Sequence, residues 1–167
     1  MILLYKPINI QILVRVLCRS VKVSDFIGRY LNKVDKKGRV SVPAAWRPKL
    51  IGKDFSGIIA QSSFAEQAID AYPRDYLELL QNKLDLNDPL LEENEYESTV
   101  IFGGSVLSFD NEGRVVLSEM LRSKIKIITE ALFVGMGRRF RIWNPKIFDE
   151  YLNRAKLYMD KRRKHKS

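Results

Sequence analysis

The sequence predicts a mainly β fold with short helices, built from two copies of one β-β-α-β-β-α unit packed about a pseudo-two-fold axis. The first observation behind this prediction is an internal repeat: the segment Asp35-Lys-Lys-Gly-Arg39 returns as Asp110-Asn-Glu-Gly-Arg114, at an offset of 75 residues. The second is that short alternating apolar runs follow in the same order in both copies. One copy alone has too few strands to bury a core, so we expect the two to pack together.

The first copy begins near Phe26, and its strands are predicted at residues 30–34, 39–42, 58–60 and 68–72. Residues 35–38 form the turn of a hairpin, because Asp35 can accept a backbone N–H two residues on and Gly38 tolerates a positive φ. Pro43 and Pro73 suit the first turn of a helix, which places helices at residues 44–50 and 73–84.

The second copy repeats this order, with strands at residues 105–109, 114–117, 131–134 and 140–143 and a helix at residues 118–127. Asn144 is a suitable N-cap and Pro145 a suitable first residue for a last helix with an apolar face. The chain then divides into a leader (residues 1–25), a first repeat (26–84), an acidic linker (85–100), a second repeat (101–160) and a basic tail (161–167) that we expect to be disordered.

Three interpretations stay open for the leader: a transit peptide, an added amphipathic segment, or residues upstream of the true start codon. Its longest uncharged stretch, residues 7–14, falls short of the ~20 residues needed to span a bilayer. We therefore predict no membrane segment.

The composition argues against an enzyme. Cys18 and His165 are the only cysteine and histidine, so neither a Cys/His zinc site nor a nucleophile–histidine pair can be built. A single cysteine also excludes an intrachain disulfide and fits a reducing compartment. Glycine loops of the nucleotide-binding types are absent. We predict no cofactor, no metal and no small-molecule substrate; the best remaining carboxylates, Glu66 and Asp70, are not placed in a cleft by the sequence.

The charge of the chain is segregated. The formal net charge is +9; residues 33–53 carry seven basic side chains against Asp35 alone, and residues 85–97 carry six acids and no base. Such segregation creates a local positive surface, which suits a polyanion such as DNA.

Arg39 and Arg114 are the candidate DNA-reading residues, because each follows a turn glycine and begins a strand. Asp35 and Asp110, four residues earlier, are placed across the turn to hold the guanidinium. A fixed guanidinium can bind guanine O6 and N7 or clamp a phosphate, and a two-stranded ribbon fits the major groove. The alternative is that each Asp–Arg pair only staples its turn.

Other basic residues extend this candidate site. Phosphate contacts are predicted for three lysines around the first turn: Lys33, Lys36 and Lys37. The second turn has Asn111 and Glu112 instead, so we expect the first hairpin to contact more phosphate. Arg47 and the equivalent Arg122 could reach phosphates or pair with carboxylates of the other copy, and both interpretations stay open.

Two further groups have a simpler interpretation. Arg139 and Arg141 share one strand face and could meet DNA or another subunit, but solvated charge is the favoured interpretation. Trp46 and Trp143 have the spacing of buried core residues, which is favoured over base stacking.

The segment Asp35-Lys-Lys-Gly-Arg-Val-Ser-Val-Pro-Ala-Ala-Trp-Arg47, the second Asp-x-x-Gly-Arg and the strand Phe140-Arg-Ile-Trp143 together resemble the bacterial MraZ proteins, over roughly residues 26–157. The resemblance implies membership of the AbrB-like superfamily, with two AbrB-like repeats packed as a pseudo-two-fold swapped-hairpin β-barrel. The sequence departs from the pattern at Ser118, where the first copy has Pro43, and in its leader and basic tail.

The resemblance also implies a function: a cytoplasmic, nucleoid-associated transcriptional repressor of the division and cell-wall gene cluster, including its own gene. Such proteins bind repeated boxes in promoter DNA as rings of many subunits. The DNA-contacting signature carries over to Asp35 with Arg39 and to Asp110 with Arg114. Two alternatives remain, an AbrB-like antitoxin that binds a toxin through a disordered tail and a structural ring that does not bind DNA.

Overall fold

A computed structural model of the protein describes residues 26–85 and 92–164. These residues form eight strands, a short 3₁₀ turn and four helices. The first copy supplies β1 (Arg29–Lys33), β2 (Arg39–Ser41), the 3₁₀ turn (Arg47–Lys49), β3 (Gly57–Ser62), β4 (Ala68–Tyr72) and α1 (Arg74–Asp85). The second copy, with the helix that precedes it, supplies α2 (Glu92–Phe102), β5 (Ser105–Ser108), β6 (Arg114–Val116), α3 (Glu119–Lys124), β7 (Glu130–Gly135), β8 (Phe140–Trp143) and α4 (Pro145–Lys164). The predicted class, mainly β with short helices, is confirmed.

The two copies exchange strands. An open antiparallel sheet has the order β1-β7-β8-β4-β3-β5, so β1 of the first copy pairs with β7 of the second, and β5 of the second pairs with β3 of the first. A second, two-stranded sheet joins β2 to β6. The copies are therefore interleaved, and neither could keep its pairing alone. Closure of the strands into a barrel stays a prediction.

One apolar core is shared by both copies. Val40 of β2 and Val115 of β6 face each other across the two-stranded sheet and are fully buried, as is Phe140. Trp46 packs edge-on against Phe26 at 5.4 Å between ring centroids, and its indole N–H donates to the carbonyl of Ile27. Each such side chain contributes about 1.5–3 kcal/mol on burial, so the core stabilises the interleaved pairing.

The last helix packs on the central part of the outer face of the large sheet. Trp143 packs against Phe148 and Tyr151 of α4, at 5.6 and 4.8 Å between ring centroids. The prediction that Trp46 and Trp143 are core residues is confirmed, since their exposed fractions are 2% and 1%.

The predicted helix at residues 44–50 is wrong. Only the 3₁₀ turn at Arg47–Lys49 forms there, because Pro48 has no N–H to donate and its ring would clash with the carbonyl of Ala44 in an α-helix. The equivalent α3 lacks a proline, and the Ser118 hydroxyl caps it by accepting from the N–H of Leu121 at 3.3 Å. This helix is shorter than predicted, because Lys126 adopts a φ of 54°.

Helix α2 was not predicted, because the acidic residues at its start are typical of a linker and its apolar residues do not recur at helical spacing. Its C-terminal turn is tied to the sheet by the Tyr72 hydroxyl, which donates to the carbonyl of Ile101 at 3.2 Å. Residues 86–91 of the predicted acidic linker lie outside the described residues, as does the leader (residues 1–25).

The last helix begins as predicted, with the Asn144 side-chain oxygen accepting from the N–H of Lys146 at 2.9 Å. It continues through Lys164. The expected disorder of the tail is therefore wrong for residues 161–164, because the helical hydrogen bonding runs on through them; residues 165–167 lie outside the described part. No helix within residues 26–85 or 92–164 has the length and apolar character to cross a membrane.

Candidate nucleic-acid interface

The two repeated turns have the same hydrogen-bond geometry. In the first, Asp35 Oδ1 accepts from the backbone N–H groups of Lys37 and Arg39, each at 2.9 Å, and Oδ2 accepts from Arg39 Nε at 2.6 Å. The backbone closes the turn, with the N–H of Gly38 donating to the carbonyl of Asp35 at 2.9 Å and the N–H of Asp35 donating to the carbonyl of Arg39 at 3.0 Å. One carboxylate therefore both fixes the turn and orients the arginine that follows it.

The second turn repeats each of these contacts. Asp110 Oδ1 accepts from the backbone N–H groups of Glu112 at 3.0 Å and Arg114 at 2.9 Å, and Oδ2 accepts from Arg114 Nε at 2.7 Å. Gly38 and Gly113 take φ values of 79° and 71°, a region that side chains with a Cβ rarely enter. The predicted Asp–Arg pairing across each turn is confirmed.

The pKa values of both aspartates reflect this geometry. The backbone N–H of Arg39 lowers the pKa of Asp35 below its usual 3.8, and the Arg39 side chain and the Lys37 N–H lower it further. The backbone N–H of Arg114, followed by its side chain, lowers the pKa of Asp110 in the same way. Both carboxylates are therefore ionised at neutral pH and hold their arginines by charge-assisted hydrogen bonds.

Both arginines lie on the outer face of the two-stranded sheet. In this ribbon Val40 is opposite Val115, Arg39 is opposite Val116, and Ser41 is opposite Arg114. Because successive side chains of a strand point to opposite faces and the valine pair faces the core, Arg39 and Arg114 share the other face, as diagonal neighbours. Their side chains are 36% and 24% exposed, so neither is enclosed in the core.

The second arginine has an additional acidic partner. Arg114 Nη1 lies 3.0 Å from Glu112 Oε2, and the Glu112 side chain is 68% exposed. The pKa of Arg114 is raised chiefly by its hydrogen bond to Asp110, with the charges of Glu112 and Asp35 adding to the effect. Because β2 and β6 pair over three residues each, the two turns lie at opposite ends of a short ribbon.

The predicted phosphate-binding lysines lie at the surface around the first turn. Lys36 and Lys37 occupy the turn itself, and Lys33 ends β1; all three are exposed. Lys33 is opposite Glu130 in β7. The first turn thus carries exposed positive charge that the second turn lacks.

Arg47 lies beneath the turn of the other copy. Its Nε donates to the carbonyl of Val42 at 2.8 Å, and the N–H of Val42 donates to the carbonyl of Gly113 at 3.1 Å. Arg122 makes the equivalent bond to the carbonyl of Leu117 at 3.1 Å. Within residues 26–85 and 92–164 both arginines donate to backbone carbonyls and neither forms a salt bridge with a carboxylate of the other copy. A phosphate contact stays untested.

Two sequence candidates lie apart from the turns. Arg141 is not solvated: it is 8% exposed, and its Nε donates to Asp70 Oδ1 at 2.6 Å across the β4–β8 pair. Glu66 pairs with Arg154 Nη2 at 2.6 Å. Within residues 26–85 and 92–164, no group of three or more His, Cys, Asp or Glu side chains is placed to hold a metal ion.

Two features of the site were missed by the sequence reasoning. The Glu112–Arg114 ion pair could have been predicted, because the residue two positions before the repeated arginine is basic in the first copy (Lys37) and acidic in the second (Glu112). The packing of Arg47 against Gly113 had none, because it depends on how the copies interleave.

Comparison with known proteins identifies the family. The family model described as "MraZ protein, putative antitoxin-like" matches residues 101–166. A protein of Pelagibacter ubique (strain HTCC1062), named Transcriptional regulator MraZ, is 41% identical over 146 residues, which cover 81% of this chain and 94% of the relative. Proteins of the same name from Rickettsia canadensis (strain McKiel) and Rickettsia africae (strain ESF-5) are 43% and 42% identical over 139 residues, covering 82% and 83% of this chain and 93% of each relative. Because this similarity extends over most of both partners, the chain belongs to the MraZ family.

Proposed function

We propose that the protein is a DNA-binding transcriptional regulator that reads double-stranded DNA with Arg39 and Arg114. The observation that carries the proposal is the twin arrangement of the two turns, each with an aspartate-oriented arginine on the outer face of the β2–β6 ribbon. A fold needs only a turn at these places, so two oriented and partly exposed guanidinium groups indicate a ligand that accepts hydrogen bonds.

The chemistry of DNA fits this arrangement. A two-stranded ribbon fits the major groove, where a guanidinium can donate to O6 and N7 of guanine. In Arg39 the Nε is used by Asp35, which leaves the terminal Nη atoms to meet a base edge or a phosphate. Lys33, Lys36 and Lys37 are exposed and would contact phosphates, which position a protein on the duplex without reading sequence.

The finer parts of the proposal rest on the resemblance and on the names of the relatives, which are transcriptional regulators. We propose that the protein represses the division and cell-wall gene cluster, including its own gene, by binding repeated boxes in the promoter. Assembly into a homo-oligomeric ring in the cytoplasm, at the nucleoid, would present many turns at once. Weak contacts at each box would then combine through effective concentration.

The test is binding to duplex DNA from upstream of the protein's own gene, measured by fluorescence anisotropy against an unrelated duplex of equal length. The double variant Arg39→Ala/Arg114→Ala is expected to lose the preference for the upstream DNA. The charge-matched control is Arg74→Ala/Lys156→Ala, which removes two exposed cations away from the turns and should keep that preference.

The assembly state of the same variants separates the proposal from the structural alternative. If the two arginines only hold subunits together, the double variant would change its mass in sedimentation analysis. Retention of the preference for upstream DNA by the double variant would overturn the proposed site.

A further inference from the structure

The two turns share one backbone geometry but differ in charge. The first turn and its arginine contain one acid and three bases (Asp35, Lys36, Lys37 and Arg39), a formal charge of +2. The second contains two acids, Asp110 and Glu112, and one base, Arg114, a formal charge of −1. The difference lies in the two central residues of each turn. The hydrogen bonds of the turn use only the backbone of these residues, so their side chains are free to differ.

Glu112 changes what its arginine can bind. Its Oε2 lies 3.0 Å from Arg114 Nη1 while Asp110 Oδ2 accepts from Nε, so two carboxylates engage this guanidinium. Among the described residues, Asp35 is the one carboxylate that pairs with Arg39. A phosphate that approached Arg114 would compete with Glu112 at Nη1, and at any of the guanidinium nitrogens it would be repelled by a carboxylate that is 68% exposed. A base edge brings no net negative charge, and Glu112 could itself accept from the N4 amino group of cytosine.

We propose, building on the proposed DNA-binding function, that Glu112 is a specificity-determining residue that disfavours phosphate at the second turn and so fixes the direction in which the protomer lies on DNA. With two identical turns, the pseudo-two-fold body would bind equally well in either direction. With unlike turns, only one direction brings Lys36 and Lys37 of the first turn close to phosphates and keeps Glu112 of the second turn away from them, while both arginines face base edges. The protomer therefore reads a non-palindromic site in one orientation.

The first test concerns specificity. Glu112→Gln keeps the size of the side chain and removes its charge, and Glu78→Gln is the matched control because Glu78 is exposed on α1. Affinities for upstream and unrelated duplexes are measured at several salt concentrations. We expect Glu112→Gln to bind unrelated DNA roughly two- to fivefold more tightly, the effect of one exposed ion pair, and to show a smaller preference for upstream DNA. Its salt dependence should steepen by up to about one unit, as one more phosphate is contacted.

The second test concerns orientation. Thr129 is exposed and lies beside the first turn, since its carbonyl accepts from the N–H of Val34 at 2.7 Å. An iron chelate attached through Thr129→Cys, in a Cys18→Ser background, would cleave the DNA next to this turn. On the shortest duplex that keeps specific binding, cleavage should fall mainly on one flank. Exchanging the turn residues (Lys36→Asn, Lys37→Glu, Asn111→Lys and Glu112→Lys) should move it to the other flank.

The outcomes distinguish this inference from the function on which it rests. If the wild type shows no preference for upstream DNA, the proposed function itself fails. If the wild type shows that preference but cleaves both flanks equally, the fixed orientation is overturned and the function stands. If Glu112→Gln and Glu78→Gln both leave the preference unchanged, Glu112 has no part in specificity.

Discussion

The guanidinium of Arg47 lies directly against Gly113, so closely that a Cβ added to this glycine would stand 2.7 Å from the Arg47 Nε and Cζ atoms. The turn of the second copy is therefore supported by a side chain of the first. The reverse contact exists as well, since a Cβ on Gly38 would stand 3.0 Å from Arg122 Nε. Each of the two proposed DNA-binding turns is therefore packed against an arginine of the other copy.

The two turn glycines should tolerate substitution unequally. Gly113→Ala is expected to lower the free energy of unfolding by at least about 1–2 kcal/mol, the cost of a left-handed residue with a Cβ. Its Cβ would also press on the Arg47 side chain, which weakens the bond from Arg47 Nε to the carbonyl of Val42. Gly38→Ala should cost more, because its Cβ would stand 2.6 Å from the backbone carbonyl oxygen of Leu117, which cannot move freely. Urea denaturation of both variants checks this order, and an equal or reversed cost would contradict the geometry.

Arg47 should act on stability more than on phosphate binding. Arg47→Ala removes the donor to the carbonyl of Val42, a buried residue, and is expected to lower the free energy of unfolding by about 1–3 kcal/mol. The slope of DNA affinity against salt should stay unchanged. A slope reduced by about one unit would instead indicate a direct phosphate contact. Arg122→Ala is the matched variant in the other copy and should behave alike.

Removing one partner of the Asp70–Arg141 pair should destabilise the fold strongly, whereas replacing both partners by apolar residues should not. The pair joins the two copies across β4 and β8, with side chains that are 12% and 10% exposed. Asp70→Ala leaves a buried guanidinium without its partner and is expected to cost about 3–5 kcal/mol in urea denaturation. The double variant Asp70→Val/Arg141→Met should recover most of this loss. A small effect of the single variant would mean that the pair is hydrated.

Stability should fall in acid because of the two turn aspartates. The folded protein holds the pKa of Asp35 and Asp110 below the value of 3.8 expected for an unfolded chain. The stabilisation is therefore complete above that value and is lost as the pH falls through the folded pKa. As the pH falls below about 4, the melting temperature of the wild type should drop more than that of Asp35→Asn/Asp110→Asn. Parallel acid profiles of the two proteins would contradict the assignment.

The sequence predicted those parts of the fold that depend on local chemistry. The first turn is specified by contacts within five residues, among Asp35, Gly38 and Arg39. The start of the last helix is specified in the same local way by Asn144. The sequence therefore predicts both the turn and the helix start correctly. The helix predicted at residues 44–50 does not form, because Pro43 favours a helix start but Pro48 prevents an α-helix from continuing. The missed helix α2 lacks apolar periodicity and is held by tertiary contacts such as the one from Tyr72 to Ile101.

The candidate site was predictable to the extent that it is repeated. Arg39 and Arg114 stood out because one pattern occurs twice, and the structure places them together on one ribbon face. The burial of Arg141 and the support of Gly113 by Arg47 depend on strand exchange between the copies. Such contacts join residues about 70 positions apart (Asp70 to Arg141 is 71), and no local pattern encodes them.

The central claim is that paired guanidinium forks at the two turns read base edges, and the most direct measurement is DNA binding by Arg39→Lys/Arg114→Lys. A lysine keeps the charge but lacks the planar fork that Asp35 and Asp110 hold through Nε, so its contact with guanine is not fixed in direction. The account predicts that this variant binds unrelated DNA within about twofold of the wild type, while its preference for DNA from upstream of its own gene disappears. A double-lysine variant that keeps the full preference would contradict the account, because charge alone would then be sufficient.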